Sequence, residues 1–231
     1  MHKLHMTQFN LDQLTDDLEE LGIQSASEYV DPLPPRPPKS GVYRVRPLEL
    51  QLDTDVDGNT KLTDGRYPTL LLRKLEIVEP EKEQGRALYP FKRFSLKPIQ
   101  SGPRAGASAA NDLLRAFDDT RTFTSGKEAL QIIGEMADAG QTFRARLTWT
   151  AYDGEGAREE IASRGGRDAI DQDDLREIYR RYTCRGEKNF PQVDGQAVPE
   201  WTSPTGNKCE ARVDIQAVIP ASKNESLVTL S

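Results

Sequence analysis

Hydrophobic and polar positions alternate most regularly between Phe143 and Tyr152. Phe143, Ala145, Leu147, Trp149 and Ala151 fall on one side of an extended chain, and Arg144, Arg146, Thr148, Thr150 and Tyr152 on the other, because successive strand side chains point to opposite faces. The pattern predicts a half-buried strand that offers a Trp and a Phe to a core and two guanidinium groups, two hydroxyls and a phenol to the outside. Upstream, Val42–Arg46 and Leu48–Leu52 alternate in the same way around Pro47, which marks a bulge or an edge. Tyr67–Val78, and Arg86–Leu96 after the Gly85 turn, read as further strands.

After Pro98 the period changes. Ala109–Phe117 reads as helix, and Ser125-Gly-Lys-Glu128 has the form of a capping box for a helix through Ile132, Ile133 and Met136 that Gly140 stops. Beyond the central strand, the Gly- and charge-rich stretch Asp153–Gly166 reads as a mobile connection. Asp171-Gln-Asp-Asp174 then caps a helix with Leu175, Ile178, Tyr179 and Tyr182 on one side and Arg176, Arg180 and Arg181 on the other. Gly195–Asn207 reads as loop, and Cys209–Ile219 as a last strand with Ala211, Val213, Ile215 and Ala217 inward.

Two N-terminal segments stand apart. Phe9–Leu21 places Leu11, Leu14, Leu18 and Leu21 at helical spacing with acids between them, a short amphipathic helix that either packs on its own domain or docks on a protein partner, and Gly22 ends it. Asp31–Lys39 is proline-rich, cannot form helix or inner strand, and reads as a stiff polyproline spacer. The expected organisation is an acidic arm and linker over residues 1–40, a folded domain over 41–222 and a tail over 223–231.

The chain has 231 residues, 36% hydrophobic and 29% charged, which suits one sizeable core with polar appendages. Its net charge of −6 equals the balance of residues 1–31 alone, where Lys3 faces seven acids. Residues 32–150 carry 19 basic against 15 acidic side chains, so a basic surface inside an acidic protein is available. No apolar run is long enough for a bilayer and no signal-peptide core is present, so no membrane partner is expected and the cytoplasm is the expected compartment. Cys184 and Cys209 are expected as free thiols there, and two thiols make half a zinc site.

Enzymatic readings find little support. Both histidines, His2 and His5, precede the folded part, leaving it no imidazole for general base work, and no Gly-x-x-x-x-Gly-Lys-Ser/Thr phosphate loop occurs. The expectation is a non-enzyme without a cofactor. Asp53, Asp55, Asp57, Gly58 and Asp64 do stand at the first, third, fifth, sixth and twelfth places of a calcium-loop frame. Asp64 replaces the usual Glu, Thr60 an apolar residue, and no helices flank the loop. Asp57-Gly58 between strands also signals a hairpin tip, the reading preferred here.

Three strands, two helices, a strand, a helical excursion and a strand give the expected fold class: mainly β with α insertions. In detail it is an OB-like five-stranded Greek-key barrel, with helices between strands 3 and 4 and between strands 4 and 5. At residue level, Gly41-x-Tyr43, a strand ending in Ile77, Gly85-Arg86 before Leu88-Tyr-Pro-Phe91 and Phe94, the Leu113-Leu114 helix and a strand after Gly-x-x-Phe resemble the phage-encoded single-stranded-DNA-binding proteins of the OB type. The resemblance covers residues 41–152. The chain departs from the family in the excursion after Asp153, in the placing of its acidic arm at the N-terminus, and in a C-terminal segment, Ser222–Ser231, whose one acid is Glu225.

The resemblance implies single-stranded DNA as partner, a role in phage DNA replication or recombination, and a host-cytoplasmic location. Such a site needs cations along the phosphates and aromatic faces for bases. The candidate cations are Arg44, Arg46, Arg73, Lys74, Lys92, Arg93, Arg144 and Arg146, and the candidate stackers are Tyr67, Tyr89, Phe91 and Tyr152. Each has a plainer reading: a strand Arg pairs with a cross-strand acid such as Glu49 or Asp214, and Tyr89 or Phe91 belongs to the core. The alternative functions are a virion or other assembly protein whose arm bridges subunits of a homo-oligomer, and an adaptor whose 9–21 helix binds another protein.

Overall fold

The computed structural model describes residues 36–228. The expected helix at 9–21, both histidines and most of the proline run lie outside them. Within the described residues β1 (Gly41–Leu52), β2 (Leu62–Thr63), β3 (Tyr67–Glu79), β4 (Ala87–Leu88) and β5 (Lys92–Ser95) precede α1 (Ala109–Phe117) and α2 (Gly126–Asp138). Next come β6 (Phe143–Tyr152), α3 (Gly154–Ser163), α4 (Gln172–Arg181) and β7 (Thr183–Arg185). The chain ends with the short β8 (Gln192–Val193), β9 (Gln196–Ala197), β10 (Glu200–Thr202) and β11 (Lys208–Glu210), and then β12 (Arg212–Ile219).

The main sheet is antiparallel and ordered β12-β6-β1-β3-β2, with β4 and β5 pairing β3 and β7 pairing β6. It is a large sheet rather than a closed barrel. β5 and β12 share no ladder, and the Lys92 ammonium donates across to the Ile215 carbonyl at 2.8 Å.

The inward set of β6 is realised, with Phe143, Ala145, Leu147, Trp149 and Ala151 buried, but Thr148, expected on the outer face, is buried as well. Phe143 and Leu147 join Tyr43, Val45, Leu72, Leu75 and Ile77 in the main core, which α1 and α2 close with Leu113, Leu114, Phe117 and Ile133. Each such side chain contributes about 1.5–3 kcal/mol through its buried apolar surface. Both helices start where local chemistry demands, with Ser108 and Ser125 side chains accepting from the amides of Asn111 and Glu128. Trp149 sits in a second cluster with Phe190 and Cys184, and its indole N–H donates to the Pro38 carbonyl at 2.7 Å. The end of the proline run is therefore packed against the domain.

The bulge expected at Pro47 is present: β1 runs through Pro47 as one strand, and a register shift between Pro47 and Glu49 absorbs the missing amide. Other expectations are corrected. The stretch 86–96 splits into β4 and β5. Gly195–Asn207 contributes to two small hairpins, β8 with β9 and β10 with β11. In β12 a shift between Ile215 and Ala217 turns Ala217 outward and buries Ile219.

The largest correction is Asp153–Gly166, expected as a mobile connection but forming α3. Asp153 is buried, caps α3 through the Gly156 amide, and accepts from Ser203, Thr205 and Asn207 side chains at 2.7, 2.7 and 3.1 Å. One carboxylate thus ties the helix to the β10–β11 turn fifty residues on.

Those hydrogen bonds, led by the Gly156 amide, hold the Asp153 carboxyl well below the usual carboxylate range. A depressed folded pKa gives stability that is complete above the unfolded value of about 3.9 and is lost as pH falls towards the folded value. Asp153→Ala should cost about 3 kcal/mol at neutral pH, and urea denaturation should show the deficit shrinking as pH drops below 4.

Candidate nucleic-acid interface

Antiparallel pairing brings four arginines onto one sheet face. Arg44 lies directly opposite Arg144, and Val42 opposite Arg146. Like charges facing each other are unfavourable, so each needs its own counter-group. Arg44 takes Glu79 at 2.9 Å and Arg46 takes Glu76 at 2.6 Å, both carboxylates supplied by β3. Arg73 lies 3.7 Å from Glu49.

Arg144 and Arg146 are met instead by the chain's own C-terminal segment. The Arg144 guanidinium donates to the carbonyls of Ala221, Lys223 and Glu225, and Arg146 pairs with the Glu225 carboxylate at 2.6 Å. The Val228 amide then bonds the Val42 carbonyl at 2.8 Å. Val228 packs so closely on Gly41 that a Cβ there would lie 2.7 Å from its own. These contacts are half exposed, so each ion pair is worth about 0–1 kcal/mol and can exchange for another anion at little cost.

The exposed aromatics arise from a local mismatch. Leu88 pairs with Leu75 and Lys92 with Leu72, so three residues of the edge strand face two of β3. The extra residue is a bulge, and Pro90 inside it has no amide to donate. Phe91 adopts a left-handed φ of 48°, unusual for a bulky side chain. Tyr89 and Phe91 are each 59% exposed, against the plainer reading that places them in the core. The Lys74 ammonium lies 5.7 Å from the Tyr89 ring centroid, within cation–π range.

The remaining candidates scatter. Lys92 turns to the Ile215 carbonyl, and Arg93 donates to Asp53 at 2.6 Å. Tyr67 lies at the start of β3 with the Arg66 guanidinium 5.8 Å from its ring centroid. Tyr152, 38% exposed, ends β6 beside Gly154, and burial pushes its phenol pKa up. Asp214 pairs with Arg185, not with a candidate cation.

The loop 53–64 has a different logic from a calcium frame. Asp53 is buried, and its pKa is lowered chiefly by the Arg93 hydrogen bond. Asp55 accepts from the Asp57 and Asn59 amides and so closes its own turn, while Asp64 pairs with Lys97 at 2.5 Å. No group of three metal-ligating side chains gathers among the described residues. Cys184 and Cys209 are free thiols, each with its pKa raised by burial, which makes them slow nucleophiles. Among the described residues no helix is long and apolar enough to cross a membrane.

Comparison with known proteins finds no matching family model, no matching curated protein and no matching solved structure.

Because the loop's acids are committed to Arg93, Lys97 and local amides, millimolar calcium should leave the melting temperature unchanged in differential scanning fluorimetry. A calcium-dependent rise abolished by Asp55→Ala would restore the metal reading.

Proposed function

We propose that the protein binds single-stranded DNA without catalysing a reaction, in phage DNA replication or recombination. The observation that carries this reading is the β4–β5 bulge, which holds Tyr89 and Phe91 in solvent beside Lys74. Exposed rings next to a cation suit unpaired bases followed by phosphates. The strand order β5-β3-β1-β6-β12 supports it, being the path of a five-stranded Greek-key barrel of the OB type. So do the two helical insertions, which fall between its third and fourth and its fourth and fifth strands. On this reading the aromatic corner is the primary contact, and the Arg44, Arg46, Arg144 and Arg146 face continues the phosphate path.

A low-salt titration with labelled oligo-dT tests the reading. Tyr89→Ala and Phe91→Ala should each weaken binding by about 1–3 kcal/mol, roughly 5- to 150-fold, with melting temperature unchanged. A chain that ignores oligo-dT while light scattering shows defined multimers is instead the assembly protein.

The C-terminal segment gives an independent check. Deleting residues 221–231 should lower the melting temperature, because Val228 packing is lost, yet raise oligo-dT affinity by freeing Arg144 and Arg146. It should also steepen the dependence on log salt by about 0.7 per added phosphate contact. Unchanged affinity and slope would remove that arginine pair from the site.

A further inference from the structure

We propose that the cleft between the start of β3 and the first turns of α1 and α2 binds a single nucleotide unit, its base against the apolar walls and its phosphate at Arg66 and Lys127. The cleft has a volume of about 470 Å³, within the range of small-molecule sites. Tyr67, Leu96 and Phe123 supply its apolar side, and Arg66, Lys127 and Asn111 its polar side.

The two cations of this cleft differ from most of the sheet arginines in their pairing. The sheet arginines Arg44, Arg46, Arg73, Arg93 and Arg146 each have a carboxylate within 4 Å. Neither Arg66 nor Lys127 has one among the described residues. Arg66 rests over the ring of Tyr67, and both residues line the cleft. Two uncompensated cations converging on one concavity favour an anion, and phosphate suits the Arg fork.

Asn111 sharpens the choice. Its Oδ1 accepts from the buried Ser108 hydroxyl at 2.9 Å, which leaves Nδ2 as the uncommitted donor of a residue that lines the cleft. A bare phosphate would leave Tyr67, Leu96 and Phe123 uncovered, and a nucleobase alone would leave both cations unanswered. A nucleotide uses both sides. The chemistry is shared by a free mononucleotide and by the 5′-phosphorylated end of a strand, and the site stands whether or not Tyr89 and Phe91 bind DNA.

Isothermal titration of the full chain with dAMP, deoxyadenosine and inorganic phosphate tests this, alongside oligo-dT with and without a 5′-phosphate. The expected result is that dAMP, or the 5′-phosphorylated oligo-dT over its unphosphorylated form, binds with an advantage that Arg66→Ala and Lys127→Ala each cut roughly tenfold. Binding by dAMP assigns the free nucleotide as source, and an advantage confined to the phosphorylated strand assigns the strand end. No advantage for either phosphorylated ligand, or an advantage intact in the folded double variant, overturns the proposal. Tyr89→Ala and Phe91→Ala report on oligo-dT affinity whatever its 5′ end, whereas Arg66→Ala and Lys127→Ala report on the advantage given by the phosphate, so failure at the aromatic corner and failure at this cleft read out separately.

Discussion

Strand β1 joins the two halves of the sheet. Its first residues, Gly41–Val45, pair with β6, and residues from Arg44 onward pair with β3. Only Arg44 and Val45 are flanked on both edges. At that crossing Val45 points into the core between Ile77 and Phe143, while Arg44 stands outside opposite Arg144. Burying one side of this short overlap fixes which side every neighbouring residue takes, since a one-residue slip would turn the apolar set to water. The core, the arginine face and the edge that receives Val228 all follow from that register.

What could be read from the sequence was what neighbouring residues decide between themselves. The inward set of β6 and the Ser125 and Asp171 caps depend on local spacing, and each forms as expected. Helix α3 was illegible because Gly154 and Gly156 look like flexible linker residues. Gly156 is there for space: a Cβ would stand 2.6 Å from both Asp153 and Tyr182. The partners that hold this turn, Ser203, Thr205 and Asn207, are distant in sequence. The same limit hid the contacts of Arg144, whose partners are backbone carbonyls and leave no trace in residue type. Tyr89 and Phe91 could be named but not placed, since exposure came from the bulge around Pro90 rather than from alternation.

The electrostatics of the sheet explain how a chain with a net charge of −6 can present cations without a bare basic patch. Glu76, Glu79 and Glu225 partly neutralise the arginines at rest. Such half-exposed pairs are weak and screened by salt. Phosphates could displace them with small loss, and the competition makes any binding strongly dependent on ionic strength. Arg66 and Lys127, which face no carboxylate among the described residues, need no such exchange.

The seam between β5 and β12 has a mechanical consequence. A barrel closed by ladders resists bending all round, whereas here one ammonium on a flexible stem, Lys92, reaches across to Ile215. The two edges can part without breaking a backbone ladder between them. The same lysine guards the opening, because a charged side chain on an edge strand discourages a second chain from adding its own strand. The seam thus joins an edge free of a backbone ladder to a charge that edge pairing would have to displace.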